Sequence, residues 1–463
     1  MGREARRPGL LSREAPATST FTPDIAARLP GAPWLRERRA AAAEAFSSSP
    51  LPSAKDEVWR YSRIDRLDLD RFRPVDTAPA GPTDEPGPSA SDRVHSLVEG
   101  LGPRSGLVVT VNGALATLSS ALDDEVLTVG RATDHPEGRI LVGSVVSDPH
   151  DFPLLNDAFA PDPVVIDVRP GAVVTDPVVV VHVVTGLAGV AVFPRTLIRA
   201  GAGSSAAAVE IVVDAHTGVI AASQVDRVPA AGPPQEHLVV PVTELAVADD
   251  ATLAFLSLQS LGAATWQIAH QASSIGARAS LSSYAVALGG GYARLRTDSA
   301  LEGESGTSWL RAAFIGRGDQ MLDFRTLQDH RAPRTTSDLL FMGAVADTSH
   351  SVYSGLIRVR RGAVRSDAMQ TNHNLVLDEG AHADSVPNLD IEENDVRCSH
   401  ASTVGPVDED QRYYLESRGI EPSRAEQLIV AGFFASIADL VPVPGARGLV
   451  GRSLAARSGV SSG

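Results

Sequence analysis

The chain has 463 residues, 43% hydrophobic and 21% charged, enough for about two or three domains or one extended repeat with a buried core. Its 41 Lys and Arg stand against 56 Asp and Glu, a net charge of -15, which argues against nonspecific nucleic-acid binding and against affinity for anionic membranes. Lys55 is the only lysine, which excludes a Walker-type phosphate loop, and the single cysteine, Cys398, excludes an internal disulfide and suits a reducing cytoplasm.

Residues 1 to about 20 are basic but lack the apolar stretch of a secretory signal and read as disordered. No run of about 18 apolar residues is present, so no membrane span is expected. From Thr22, a capping residue followed by Pro23, to the alanine run at 40–43, the pattern predicts short helices. Glu57, Trp59 and Tyr61 alternate, as an anchoring edge or a partner contact would. We divide residues 1–160 into an N-terminal helical region (1–73), a Pro- and Gly-rich linker (74–92) and a mixed connecting segment (93–160).

From 161 to 405, short β-branched runs such as "PVVIDVRPGAVVTDPVVVVHVV" alternate with Gly, Pro and Asp. Gly or Asp followed by Ala recurs between them, as at Gly171-Ala172, Gly201-Ala202, Asp250-Ala251, Gly276-Ala277, Gly362-Ala363 and Gly380-Ala381. Gly and Asp tolerate the left-handed backbone of a tight corner, and Ala lets corners stack. "ALGGGY" (287–292) reads as a bend. The near absence of helical periodicity argues against crossover-helix folds and favours a parallel β-solenoid over a pair of β-sandwiches. A C-terminal helical region follows at 406–440, with an apolar stripe of Ala425, Leu428, Ile429, Gly432, Phe433, Ile437 and Leu440. Residues 441–463 read as a flexible tail.

The chemistry concentrates in "NDVRCSHASTVG" (394–405). In a strand, Cys398 and His400 face the same side. A thiolate and an imidazole are ligands for iron, zinc or copper, yet two ligands close no site, and the chain cannot complete an all-thiolate cluster. The plainer reading is a buried cysteine beside a hydrogen-bonded histidine. His330, His350, His373 and His382 crowd the same third of the chain; each alone reads as a surface or corner residue. HExxH does not occur, and the acid pairs Asp249-Asp250 and Glu392-Glu393 look solvated.

The stretch from His330 to Phe434 resembles the SufB/SufD family of iron–sulfur cluster assembly proteins. "DAMQTNHNLVL", "PNLDIEENDVRCSHASTVG" and "YYLESRGI" carry the resemblance, and "DEVWRYSRIDRL" resembles the family's N-terminal element. The SufB branch tends to carry an acid on each side of the motif histidine; Ser399 and Ala401 here look like the SufD branch. The resemblance implies a mainly β chain with a right-handed parallel β-helix core and α-helical N- and C-terminal regions. It implies a non-enzymatic scaffold that pairs with a SufB-like paralogue and docks a SufC-like ABC ATPase around Tyr413 to Phe434, with a homodimer possible for the chain alone. His400 matches the family histidine that helps hold nascent iron or cluster in a site shared with the partner chain, and Cys398 matches the cysteine before it. No cofactor is expected to bind the isolated chain tightly; iron or a cluster is transient in the complex. The alternatives are a SufB-like main scaffold, or, in a different class, a β-helix enzyme acting on polysaccharide. A hexapeptide-repeat acyltransferase would need a regular period that is absent.

Overall fold

The computed structural model describes residues 20–75, 90–146, 149–185, 188–214 and 236–458. The segments read as a disordered start and as a Pro- and Gly-rich linker lie largely outside these. Strands of about ten residues dominate, each parallel to the strand one coil before it. One sheet runs through Trp266–Ile275, Tyr292–Leu301, Met321–His330, His350–Val359 and His382–Ile391. The other runs through Thr252–Ser260, Ser280–Ala287, Thr307–Gly316, Thr336–Val345, Asp367–Val376 and Arg397–Gly405. The register is unbroken: Trp266, Tyr292, Met321, His350 and His382 stack in one column. This is a β-solenoid of about 7 turns with helices at both ends, the architecture read from the strand pattern and the family resemblance. The step along that column grows from 26 to 32 residues, which is why no fixed period shows in the sequence.

The corners obey a rule subtler than Gly-Ala. Along one corner the left-handed residues are Asp250, Arg278, Ser305, Arg334 and Arg365, with φ between 55 and 61°. Each donates its backbone N–H to the next coil's turn, as Arg278 does to the Glu304 carbonyl at 2.9 Å. Gly276 is not left-handed. It is needed because a Cβ there would stand 2.8 Å from the Asp249 backbone nitrogen of the coil below. At "ALGGGY" the expected bend is present, with Gly290 at φ 87°.

Alternate side chains of each strand fill the interior. Phe314, Phe324, Phe341 and Tyr353 form a continuous aromatic column there, with successive centroids 4.5, 5.7 and 5.4 Å apart. The outer faces are covered too. Trp59 of the N-terminal region and Phe152, Leu155 and Phe159 of the connecting segment pack on Ile268, Tyr292, Met321 and Val352 of the first sheet. Val430, Phe434, Ile437, Leu449 and Leu454 pack on Leu258, Tyr284, Ile315 and Met342 of the second. Trp59 is an anchor, with its ring under the Arg294 guanidinium at 3.9 Å, whereas Tyr61 is exposed. A buried ion network joins the connecting segment to the solenoid. Arg195 pairs with Asp157 and, at 2.7 Å, with Glu244. Glu244 also accepts the N–H groups of Gly143, Val145 and Val146.

Two boundaries differ from the expectation. Gly106–Val111 pairs parallel with Val178–Val184, so the second sheet begins inside the segment read as connecting. The reading of 441–463 as a flexible tail is corrected: Arg447–Ser458 is a helix, and Val441, Val443, Leu449, Val450 and Leu454 are buried. Its glycines and serines disguised an apolar face that only the solenoid wall reveals; residues 459–463 lie outside the described residues.

Candidate functional site

Cys398 and His400 sit on Arg397–Gly405, the terminal strand of the second sheet. Among the described residues that strand pairs with Asp367–Val376 alone, which leaves its other edge free. In register, Ala368 stands beside Cys398 and Gln370 beside His400. Ala368 and Gln370 are buried interior residues, so Cys398 and His400 continue the inward column at the open end of the solenoid. Cys398 is half-buried against Ile357, Val359, Ala363 and Ala368. His400 is exposed, since among the described residues no further coil covers it. The same end leaves Leu389, Ile391 and Val404 exposed, although Leu389 and Ile391 extend the interior columns of Ile357 and Val359.

The two side chains differ electrostatically from a preformed metal site. Burial pushes the Cys398 thiol up, and Asp367 adds repulsion against the thiolate. The thiol therefore stays protonated at neutral pH until a cation or a partner's positive charge favours the thiolate. Beneath His400, the Gln370 amide is fully buried and neither of its polar atoms has a hydrogen-bond partner. It fits because Gly355 leaves room: a Cβ there would come within 2.7 Å of both amide atoms. Sequence reasoning missed Gln370 and Gly355, whose spacing across coils is invisible without the register.

The other histidines separate into different roles. His330 is interior, bonded to Thr335 at 2.7 Å and Ser337 at 2.8 Å; burial pushes it down to about 4, with Asp329 opposing. His373 lies on Asp367–Val376, in register with Thr403. His350 and His382 come together with Asp384. Among the described residues no group of three or more potential ligand side chains includes Cys398 or His400.

Past the terminal strand, the helix Glu409–Ser417 buries none of its residues and exposes Tyr413 and Tyr414. In the following helix, Pro422–Ala438, the expected apolar stripe is partly corrected. Ala425, Val430, Phe434 and Ile437 are buried, while Leu428 is exposed, as is Leu440 beyond the helix. This helix meets both the solenoid wall and Arg447–Ser458, and with two apolar neighbours its periodicity did not select one face. Among the described residues no helix is long and apolar enough to cross a membrane.

A family model described as "SUF system FeS cluster assembly, SufBD core domain" matches residues 182–433. A SufBD family protein of Mycobacterium tuberculosis is 38% identical over 181 residues, 37% of this chain and 46% of that protein. The cluster assembly protein SufD of Escherichia coli is 33% identical over 193 residues, covering 42% and 46%. SufD of Bacillus subtilis is 26% identical over 427 residues, covering 89% and 92%. The chain thus spans just under half the length of the first two of these relatives and nearly all of the third. It belongs to the SufB/SufD family of iron–sulfur cluster assembly proteins, on the SufD branch.

Proposed function

We propose that this SufD-branch chain is a non-catalytic scaffold subunit whose open solenoid end pairs with a SufB-like paralogue in the cytoplasm. The observation that carries this reading is a coincidence at one place. The free strand edge, the uncovered apolar end at Leu389 and Ile391, and the Cys398–His400 pair all belong to the last coil. An unpaired edge with exposed core residues is a surface that another strand-rich chain can complete. In isolation the same edge permits a homodimer.

The cargo is nascent iron or an iron–sulfur cluster. An iron–sulfur cluster is commonly held by four protein ligands, and the pair supplies at most two. His400 contributes an imidazole, Cys398 assists once its thiol is deprotonated, and the partner provides the remaining thiolates. Gln370 offers a buried amide below the site. The isolated chain then holds no cofactor tightly. The exposed helix with Tyr413 and Tyr414 is the natural landing surface for a SufC-like ABC ATPase, aromatic residues being favoured at interface centres.

Anaerobic native mass spectrometry tests this on the chain co-expressed with its SufB-like and SufC-like partners, beside His400→Ala. A complex of one scaffold chain of each kind with two ATPases, and iron lost only from the variant, supports the scaffold and the shared site. A wild-type chain that stays alone sinks the assignment. An intact complex with unchanged iron in the variant returns His400 to a structural role.

A further inference from the structure

A second group of ligand side chains stands on the outer face of the other sheet. His350 and His382 open consecutive strands and stack in register, with ring centroids 5.0 Å apart. Asp384 follows His382 by two residues and so shares its face. Its two oxygens reach one imidazole each: Oδ2 lies 2.8 Å from His350 Nε2 and Oδ1 lies 3.2 Å from His382 Nε2. All three ligand atoms lie within 4.8 Å of one another. Around a tetrahedral zinc-like ion with bonds of about 2.05 Å, neighbouring ligand atoms are about 3.3 Å apart. The three side chains therefore stand close enough to converge on a single ion, which would take the place of the two hydrogen bonds to Asp384.

The charge pattern sets this group apart from two other histidine–carboxylate contacts in the molecule, those of Asp298 and Asp167. Asp298 meets His270 but also Arg296, and Asp167 meets His135 but also Arg169 and Arg199. Those carboxylates are neutralised without a metal. Among the described residues, the ion-pair partners of Asp384 are the two imidazoles, which are neutral unless protonated. Val352, beside Asp384 in the register, is fully buried and gives the group an apolar flank. The side chains of His350, His382 and Asp384 are 25, 66 and 26% exposed, so an ion can enter from solvent and keep water in its open positions.

We propose that His350, His382 and Asp384 bind one divalent first-row transition ion of borderline softness, of the Zn(II) or Fe(II) type. Two imidazoles and one carboxylate with open positions are the donor set such ions take. Each Nε2 turns its lone pair to the metal, and the ring proton resides on Nδ1. The site uses the other sheet and none of the residues assigned to cluster handling, so it stands or falls apart from the role of His400.

The test uses the full chain carrying Cys398→Ser and His400→Ala, so that pair contributes nothing. Co(II) is titrated anaerobically and followed by its visible d–d absorbance, then displaced with Zn(II). The expected result is one Co(II) per chain. His382→Ala and Asp384→Asn should each weaken binding by roughly 10-fold or more, since losing even an outer-shell partner costs that much. Both positions are solvent-accessible, and thermal melting verifies that the variants fold. Absence of saturable absorbance, or affinity unchanged in both folded variants, overturns the proposal.

Discussion

His330 makes the solenoid interior a pH-dependent element. Its imidazole is fully buried between Thr335 and Ser337, and burial lowers it from 6.5 to about 4. A histidine held neutral in the folded state binds its proton more readily when unfolded. Its contribution is therefore complete above the unfolded value and is lost as pH falls from 6.5 toward 4. Linkage between those two values removes about 2 kcal/mol by about pH 5, and about 3 kcal/mol well below pH 4. Other groups titrate over the same range, so the informative quantity is a difference. His330→Gln keeps a donor and an acceptor for the two hydroxyls but does not titrate. Urea unfolding of both proteins at about pH 8 and about pH 5 should show the wild type losing about 2 kcal/mol more than the variant. A difference that stays constant between the two pH values would refute the reasoning and mean that water or a rotated ring accommodates the imidazolium.

Arg195→Met should destabilise by about 3–5 kcal/mol, because it leaves the buried Glu244 carboxylate without its cation, while Asp157 keeps Arg38. Burial pushes the Glu244 carboxyl up, but Arg195 and the backbone amides hold it below the usual range. Adding Glu244→Gln should recover part of the loss in thermal unfolding; no recovery would mean the ion pair is not the cause. Cys398 should be alkylated by iodoacetamide at neutral pH more slowly than a free thiol, with the rate rising on alkaline titration, because burial and Asp367 disfavour the thiolate. A rate equal to that of an unstructured peptide would contradict this electrostatic reading.

Much of this molecule was legible from local chemistry. The β-branched runs broken by Gly and Asp specified stacked strands, because strands such as Val164–Val168 and Val178–Val184 bury both faces and need no polar alternation. The family motif placed Cys398 and His400 two apart, and strand geometry put them on one side. Tertiary structure decided what depends on contacts one coil apart. The left-handed corner fell on Arg278 while Gly276 was demanded by close approach, a distinction made by the neighbouring coil. The face of Pro422–Ala438 that is buried, and the order in Arg447–Ser458, were set by a solenoid wall that periodicity does not contain. His350 and His382, 32 residues apart, became neighbours only because one coil of this length brings them into register. Local sequence encodes backbone preference and side-chain direction; a coil of variable length encodes no register until its inward and outward faces are packed together.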